Sequence, residues 1–210
     1  MHGTGQSQGH LARLSAGLEH SGVEDGQGFD LRVLVRMVRH AAAEAERLGQ
    51  PVPDRLGVDG GGFAALAAYL CIDSLLGGSP HRQTDPEDEE IMVRELLRQN
   101  CAANGPVAEW ISCIVARRAL EPNHLWEDLG LAARGDLSTL LDRHFPALAA
   151  KNTRNMRWKK FLYRALCEAE GFSMCPSPTC DSCAEFDLCY GDESGASQIV
   201  RNNRKSQEAD

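Results

Sequence analysis

No apolar run in this 210-residue chain is long enough to span a bilayer; the longest, residues 63–76, is interrupted by Asp73. The first ten residues, MHGTGQSQGH, contain no hydrophobic stretch of the kind that marks a secretory signal, so a cytoplasmic location is expected. Aromatic residues make up only 6% of the chain. Basic residues are outnumbered, 22 against 30, which gives a net charge of −8 and argues against non-specific nucleic-acid binding. No alternating apolar–polar segment is long enough for a strand, and no internal repeat is visible. The Gly60-Gly61-Gly62 run lacks the Lys-Ser/Thr of a phosphate-binding loop and reads as a flexible joint.

What remains is helical periodicity. With 42% apolar and 25% charged residues the composition is that of a globular chain. Leu31, Leu34, Val35, Val38, Ala42 and Ala45 share one face of a helix over residues 30–48, with Arg32, Arg36, Arg39 and His40 elsewhere. Residues 63–76 predict a nearly all-apolar buried helix. Asp85-Pro86-Glu87-Asp88 predicts a helix start, with an N-cap acid and proline at the first position, and that helix runs to about Cys101. Pro106 opens another, on which Val107, Trp110, Ile111, Ile114 and Val115 recur at three- and four-residue spacing. Shorter pieces follow over 136–145 and 146–151, and a last strong helix over 156–170. The expected fold is all-α: one irregular helical domain over 29–190, with flexible segments at 1–28 and 191–210.

The eight cysteines are unevenly placed. Cys71, Cys101, Cys113 and Cys167 are scattered through helical patterns, and the first three read as small buried hydrophobes. Cys175, Cys180, Cys183 and Cys189 crowd together with spacing C-x4-C-x2-C-x5-C. Pro176 and Pro178 exclude helix between the first two and keep the backbone extended. Four soft thiolates in one loop suit a soft metal centre. An iron–sulfur cluster fits better than zinc, because structural zinc sites pair two C-x2-C units at a distance. Disulfides belong to oxidising compartments. Zinc and disulfides stay open as alternatives on the residues alone.

Two further features precede the cysteines. Residues 134–164 hold eight basic side chains and only two acidic ones, Asp136 and Asp142. On the last helix Arg157, Lys160 and Arg164 line the edge of an apolar face made by Trp158, Phe161, Leu162, Ala165 and Ala169, with Cys167 beside them. They are either an ordinary solvated flank or a positive wall that steers an anionic cluster, an oxyanion or an acidic partner. In His124-Leu-Trp-Glu-Asp-Leu-Gly130, an imidazole and two carboxylates lie close together, as a metal site or proton relay requires. The plain alternative is a short helix capped by Asn123, with Leu125, Trp126 and Leu129 turned inward.

Taken in order, His124-Leu-Trp-Glu-Asp-Leu-Gly-Leu131, Asn155-Met-Arg-Trp-Lys-Lys-Phe-Leu-Tyr-Arg164, Leu166-Cys-Glu168 and the cysteine cluster resemble the NifQ family. These are nitrogen-fixation proteins that act in making the iron–molybdenum cofactor of nitrogenase. The resemblance is strong over 123–193 and extends weakly to Leu56-Gly57 and Phe63. It implies a molybdenum donor rather than an enzyme. Molybdenum would be held in a cluster of Mo–Fe–S type, with a 4Fe-4S cluster as the alternative, and passed to the NifE/NifN scaffold with the NifH iron protein involved. Cys175, Cys180, Cys183 and Cys189 would be the ligands. Molybdenum also accepts nitrogen donors, which keeps His124 as a candidate additional ligand. Neither nucleic acid nor membrane is expected as a partner. An iron–sulfur electron carrier or redox sensor without molybdenum, and a zinc-stabilised helical adaptor, are the other readings.

Overall fold

The computed structural model describes residues 26–72 and 82–169. The described residues are helical throughout and contain no strand. Their helices are α1 (Gly26–Leu48), α2 (Val52–Leu56), α3 (Gly60–Tyr69), α4 (Asp88–Gln99), α5 (Pro106–Ala119), α6 (Leu125–Asp128), α7 (Arg134–His144), α8 (Pro146–Ala149) and α9 (Trp158–Ala169). The cysteine cluster and both chain ends lie outside the described residues. Among the described residues no helix is long and apolar enough to cross a membrane.

Helix α5 is the centre of the fold. Trp110 to Ala116 are buried without interruption, because α5 packs against α4, α2, α6 and α1 and has almost no free face. Ser112 lies inside this run and meets its hydroxyl's need by donating to the Ala108 carbonyl at 2.8 Å. Helix α1 supplies Val33, Leu34, Val35, Met37, Val38, Ala41 and Ala45 to the same core. Its first turn is tied to the far end of α7: Asp30 pairs with Arg143 at 3.0 Å and with His144 at 2.9 Å. That helix therefore starts at Gly26, inside the segment expected to be flexible.

Several expectations are corrected. The glycine triplet is not a joint but the first turn of α3, since Asp59 caps it by accepting from the Gly62 N–H at 2.6 Å. Helix α3 also ends at Tyr69, well short of residue 76, and buries only Phe63, Leu66 and Ala67. Helix α4 begins at Asp88 with Glu87 as N-cap, leaving Asp85 and Pro86 outside. The reason is Glu90: it is 1% exposed and held by Arg82 and Arg94, which fixes where the first turn sits. Of the scattered cysteines, Cys113 is buried but Cys101 is only half-buried and Cys71 is exposed, in a left-handed conformation at φ 53° after α3.

Gly130 ends α6 at φ 69°, and a Cβ added there would sit 2.4 Å from His40 Cβ. Glycine is required here both by the dihedral and by the approach of α1. Gly130→Ala is expected to lower stability by roughly 2–3 kcal/mol, the sum of left-handed strain and overpacking, measured by urea unfolding. A change under about 0.5 kcal/mol would show that α1 and α6 are not in close contact.

Candidate functional site

The segment that leads to the cysteines is α9. Its core face is Trp158, Phe161, Leu162, Tyr163 and Cys167, while Ala165 is half-buried and Ala169 exposed. Trp158 fixes the helix start by donating from Nε1 to Ser138 Oγ at 3.1 Å and by meeting Phe161 edge-on at 5.7 Å. The helix begins at Trp158, not Met156, because Asn155 takes a left-handed φ of 51°. Arg134 holds that kink through Asn155 O and Oδ1, both at 2.9 Å, and Met156 O at 3.1 Å. Asn152 closes the same loop from the other side: its Oδ1 accepts from Met156 N at 2.8 Å and its Nδ2 donates to Met156 O at 2.9 Å.

The positive charge of residues 134–164 is therefore divided among different tasks. Arg134 braces the loop, Arg143 ties α7 to α1, and Lys159 pairs with the buried Asp128 at 2.5 Å while also donating to the Glu121 carbonyl. Asn123 completes the Asp128 contacts from 3.0 Å. Arg164 pairs with Glu168 at 2.7 Å. Lys160 is half-buried.

Arg157 lies against His124, its Nη1 2.7 Å from Nε2 and 3.2 Å from Nδ1. A guanidinium only donates, so this contact needs a lone pair on the imidazole nitrogen it approaches. The structure thus joins two residues singled out separately in the sequence. It also places a cation on the lone pair that a metal would use. His124 itself is the N-cap of α6, replacing the expected Asn123; its backbone N–H donates to Glu127 Oε2 at 3.0 Å. Leu125 and Leu129 are buried as expected, whereas Trp126 is only half-buried. Among the described residues no three His, Cys, Asp or Glu side chains form a metal cage. Cys113 is a poor donor, because burial pushes its thiol up to about 11. Cys175, Cys180, Cys183 and Cys189 lie outside the described residues.

A groove of about 220 Å³, not anticipated as a unit from the sequence, opens between the braced loop and α9. Its apolar floor is Met156, Phe161 and Ala165; Lys151, Arg154 and Arg164 stand exposed around it, with Glu168 beside Arg164. The two asparagines between Lys151 and Met156 were the signal that could have found it, since asparagine tolerates the left-handed turn that folds this loop back onto the helix.

The described residues thus form a helical body that ends in the basic helix α9, and the four closely spaced cysteines follow α9 in the sequence. The sequence model of the NifQ family matches residues 33–191, and the chain belongs to that family. The match reaches back through most of α1, well beyond the region where the motifs are conspicuous. Similar proteins include a "Protein NifQ homolog" of Sinorhizobium fredii, 49% identical over 55% of this chain and 50% of its own length. "Protein NifQ" of Rhodobacter capsulatus is 42% identical over 75% of this chain and 86% of its own. "Protein NifQ" of Azotobacter vinelandii is 44% identical over 50% of this chain and 54% of its own. The chain thus spans about half the length of two of these relatives and most of the third. No solved structure matches it significantly.

Proposed function

We propose that this protein is a carrier in nitrogen fixation, not an enzyme, that holds molybdenum within an iron–sulfur cluster and donates it for assembly of the nitrogenase iron–molybdenum cofactor. The carrying observation is the C-x4-C-x2-C-x5-C set, Cys175, Cys180, Cys183 and Cys189, in a chain of the NifQ family. Thiolates are the donors that iron–sulfur clusters take. The recipient in this reading is the NifE/NifN scaffold, with the NifH iron protein taking part. His124 is a further nitrogen donor for molybdenum only if Arg157 withdraws from it.

Metal analysis of anaerobically purified protein tests the reading. Molybdenum together with iron and sulfide supports it. Iron and sulfide alone would make the protein an electron carrier or sensor, and one zinc would make it a helical adaptor.

Cargo has to leave without the carrier unfolding. Among the described residues one continuous core already runs from Phe29 to Leu162, which favours a body that stands without metal. The metal-free chain is expected to keep most of its helical circular-dichroism signal. Loss of that signal on metal removal would mean that the metal drives folding, as in zinc-dependent domains, and would count against a carrier.

A further inference from the structure

The groove beside α9 has a composition that its helix does not require. Lys151 and Arg154 are exposed, and among the described residues neither is paired with a carboxylate. They project from a loop braced by Arg134 and by both polar atoms of Asn152, so the backbone that carries them is set before anything binds. Facing them, Arg164 is held by Glu168 and also lies 3.9 Å from Met156 Sδ. Three cations around an apolar floor, with one carboxylate as the local counter-ion, match the requirements of a small anion of high charge. The floor lowers the local dielectric, and the braced loop lowers the backbone part of the ordering cost.

The geometry points to this groove as a binding site for a tetrahedral oxyanion dianion, of which molybdate is the one that the proposed carrier role calls for. The site consists of Lys151, Arg154 and Arg164. Glu168 is its built-in competitor: it occupies the Arg164 guanidinium when the groove is empty and repels an incoming dianion. Cys175 follows Ala169 by six residues, a tether of roughly 20 Å at full extension. That chain length is the longest separation the sequence allows between the end of α9, beside the groove, and the first of the four cysteines. The inference goes beyond cluster ligation but rests on the carrier reading for the choice of molybdate over other dianions.

Two substitutions of opposite sign test it. The full-length chain is dialysed to equilibrium against molybdate, and separately against sulfate, at fixed chloride. Lys151→Ala/Arg154→Ala is expected to weaken molybdate binding about tenfold, since each exposed rim cation is worth roughly a factor of three in affinity after screening. Glu168→Gln is expected to strengthen it several-fold, because it frees Arg164 and removes the repulsion. All three residues are exposed, and unchanged helical circular dichroism confirms that the fold is retained. Iron and sulfide contents of the same variants are measured in parallel. Oxyanion binding altered in both directions with iron and sulfide unchanged supports the groove. Binding by the double variant equal to wild type, or no gain in Glu168→Gln, overturns it whatever the cluster content. Equal affinity for sulfate overturns molybdate as the dedicated ligand and supports a general dianion site. A wild-type protein that binds molybdate in the groove but never carries iron and sulfide would instead defeat the carrier reading and leave the groove standing.

Discussion

Cys180→Ala protein purified anaerobically is expected to contain little or no iron, sulfide and molybdenum, with its helical signal intact. Cys180 and Cys183 form the C-x2-C pair, whose short spacing lets two thiolates reach one cluster without backbone strain. In the proposed carrier, removing one thiolate would open an iron to water, and the cluster would be lost by hydrolysis rather than held by three ligands. Cys175→Ala, Cys183→Ala and Cys189→Ala are expected to behave alike. Cys71→Ser is the control: that thiol is exposed at the end of α3, and its loss should leave metal content unchanged. Full iron and sulfide in all four single variants would remove these cysteines from the site. Loss of most of the helical signal in the same variants would show instead that the metal organises the fold.

The helices that the sequence makes legible are those whose apolar residues recur on one face. Helix α1 is of this kind, because it buries a stripe against its neighbours and the period of the stripe is written in the chain itself. Helix α5 is legible through the spacing of its largest apolar residues, although the structure buries it on nearly every side. Helix boundaries were less legible, for reasons that lie elsewhere in the fold. Asp59 converts three glycines into a helical turn by a single hydrogen bond, and local propensity alone reads them as a break. Glu90 sets the start of α4 through Arg82 and Arg94, so the Asp85-Pro86 signal goes unused. Family membership was legible because three motifs and a cysteine spacing occur in order. The contact of His124 with Arg157, across 33 residues of chain, was not. Nor was Lys159 visible as the partner of a buried Asp128 rather than one more cation of the basic stretch over 134–164. Charge counts along a chain record how many cations there are but not which of them a carboxylate elsewhere has already neutralised.

Glu44→Gln is expected to destabilise the protein by about 3 kcal/mol at pH 7, because it strands a buried cation. Arg118 on α5 is 1% exposed, and its Nη1 pairs with Glu44 on α1; among the described residues its Nη2 has no hydrogen-bond partner. Arg55 joins from α2, reaching Glu44 at 3.1 Å and Glu121 at 2.8 Å. The Glu121 carbonyl in turn accepts from Lys159, so the network runs from the core to the root of α9. Burial alone would push the Glu44 carboxyl up, but hydrogen bonds and charge from Arg118 and then Arg55 outweigh it and hold the group below its ordinary 4.5. A carboxyl lowered in the folded state contributes stability that is complete above the unfolded value and is lost as pH falls through the folded one. His40, 3.6 Å from Glu44, is lowered from 6.5 chiefly by burial, against the pull of Glu44. For a base the same depression gives the same sign, with stability lost as pH falls below about 6.5. Wild-type stability is therefore expected to decline in two stages, below about 6.5 and again below about 4.5; Glu44→Gln keeps the part of the second stage that comes from Glu109, which Arg98 also holds low, and loses the part that comes from Glu44. The gap between the two proteins, measured by urea unfolding, should narrow from pH 5 to 3. Replacing both partners, Glu44→Leu with Arg118→Met, should recover most of the loss, since removing both charges leaves nothing buried without a counter-ion. A Glu44→Gln protein within 0.5 kcal/mol of wild type at pH 7, or a gap that does not close in acid, would show that Arg118 is solvated and that this pair does not hold α1 to α5.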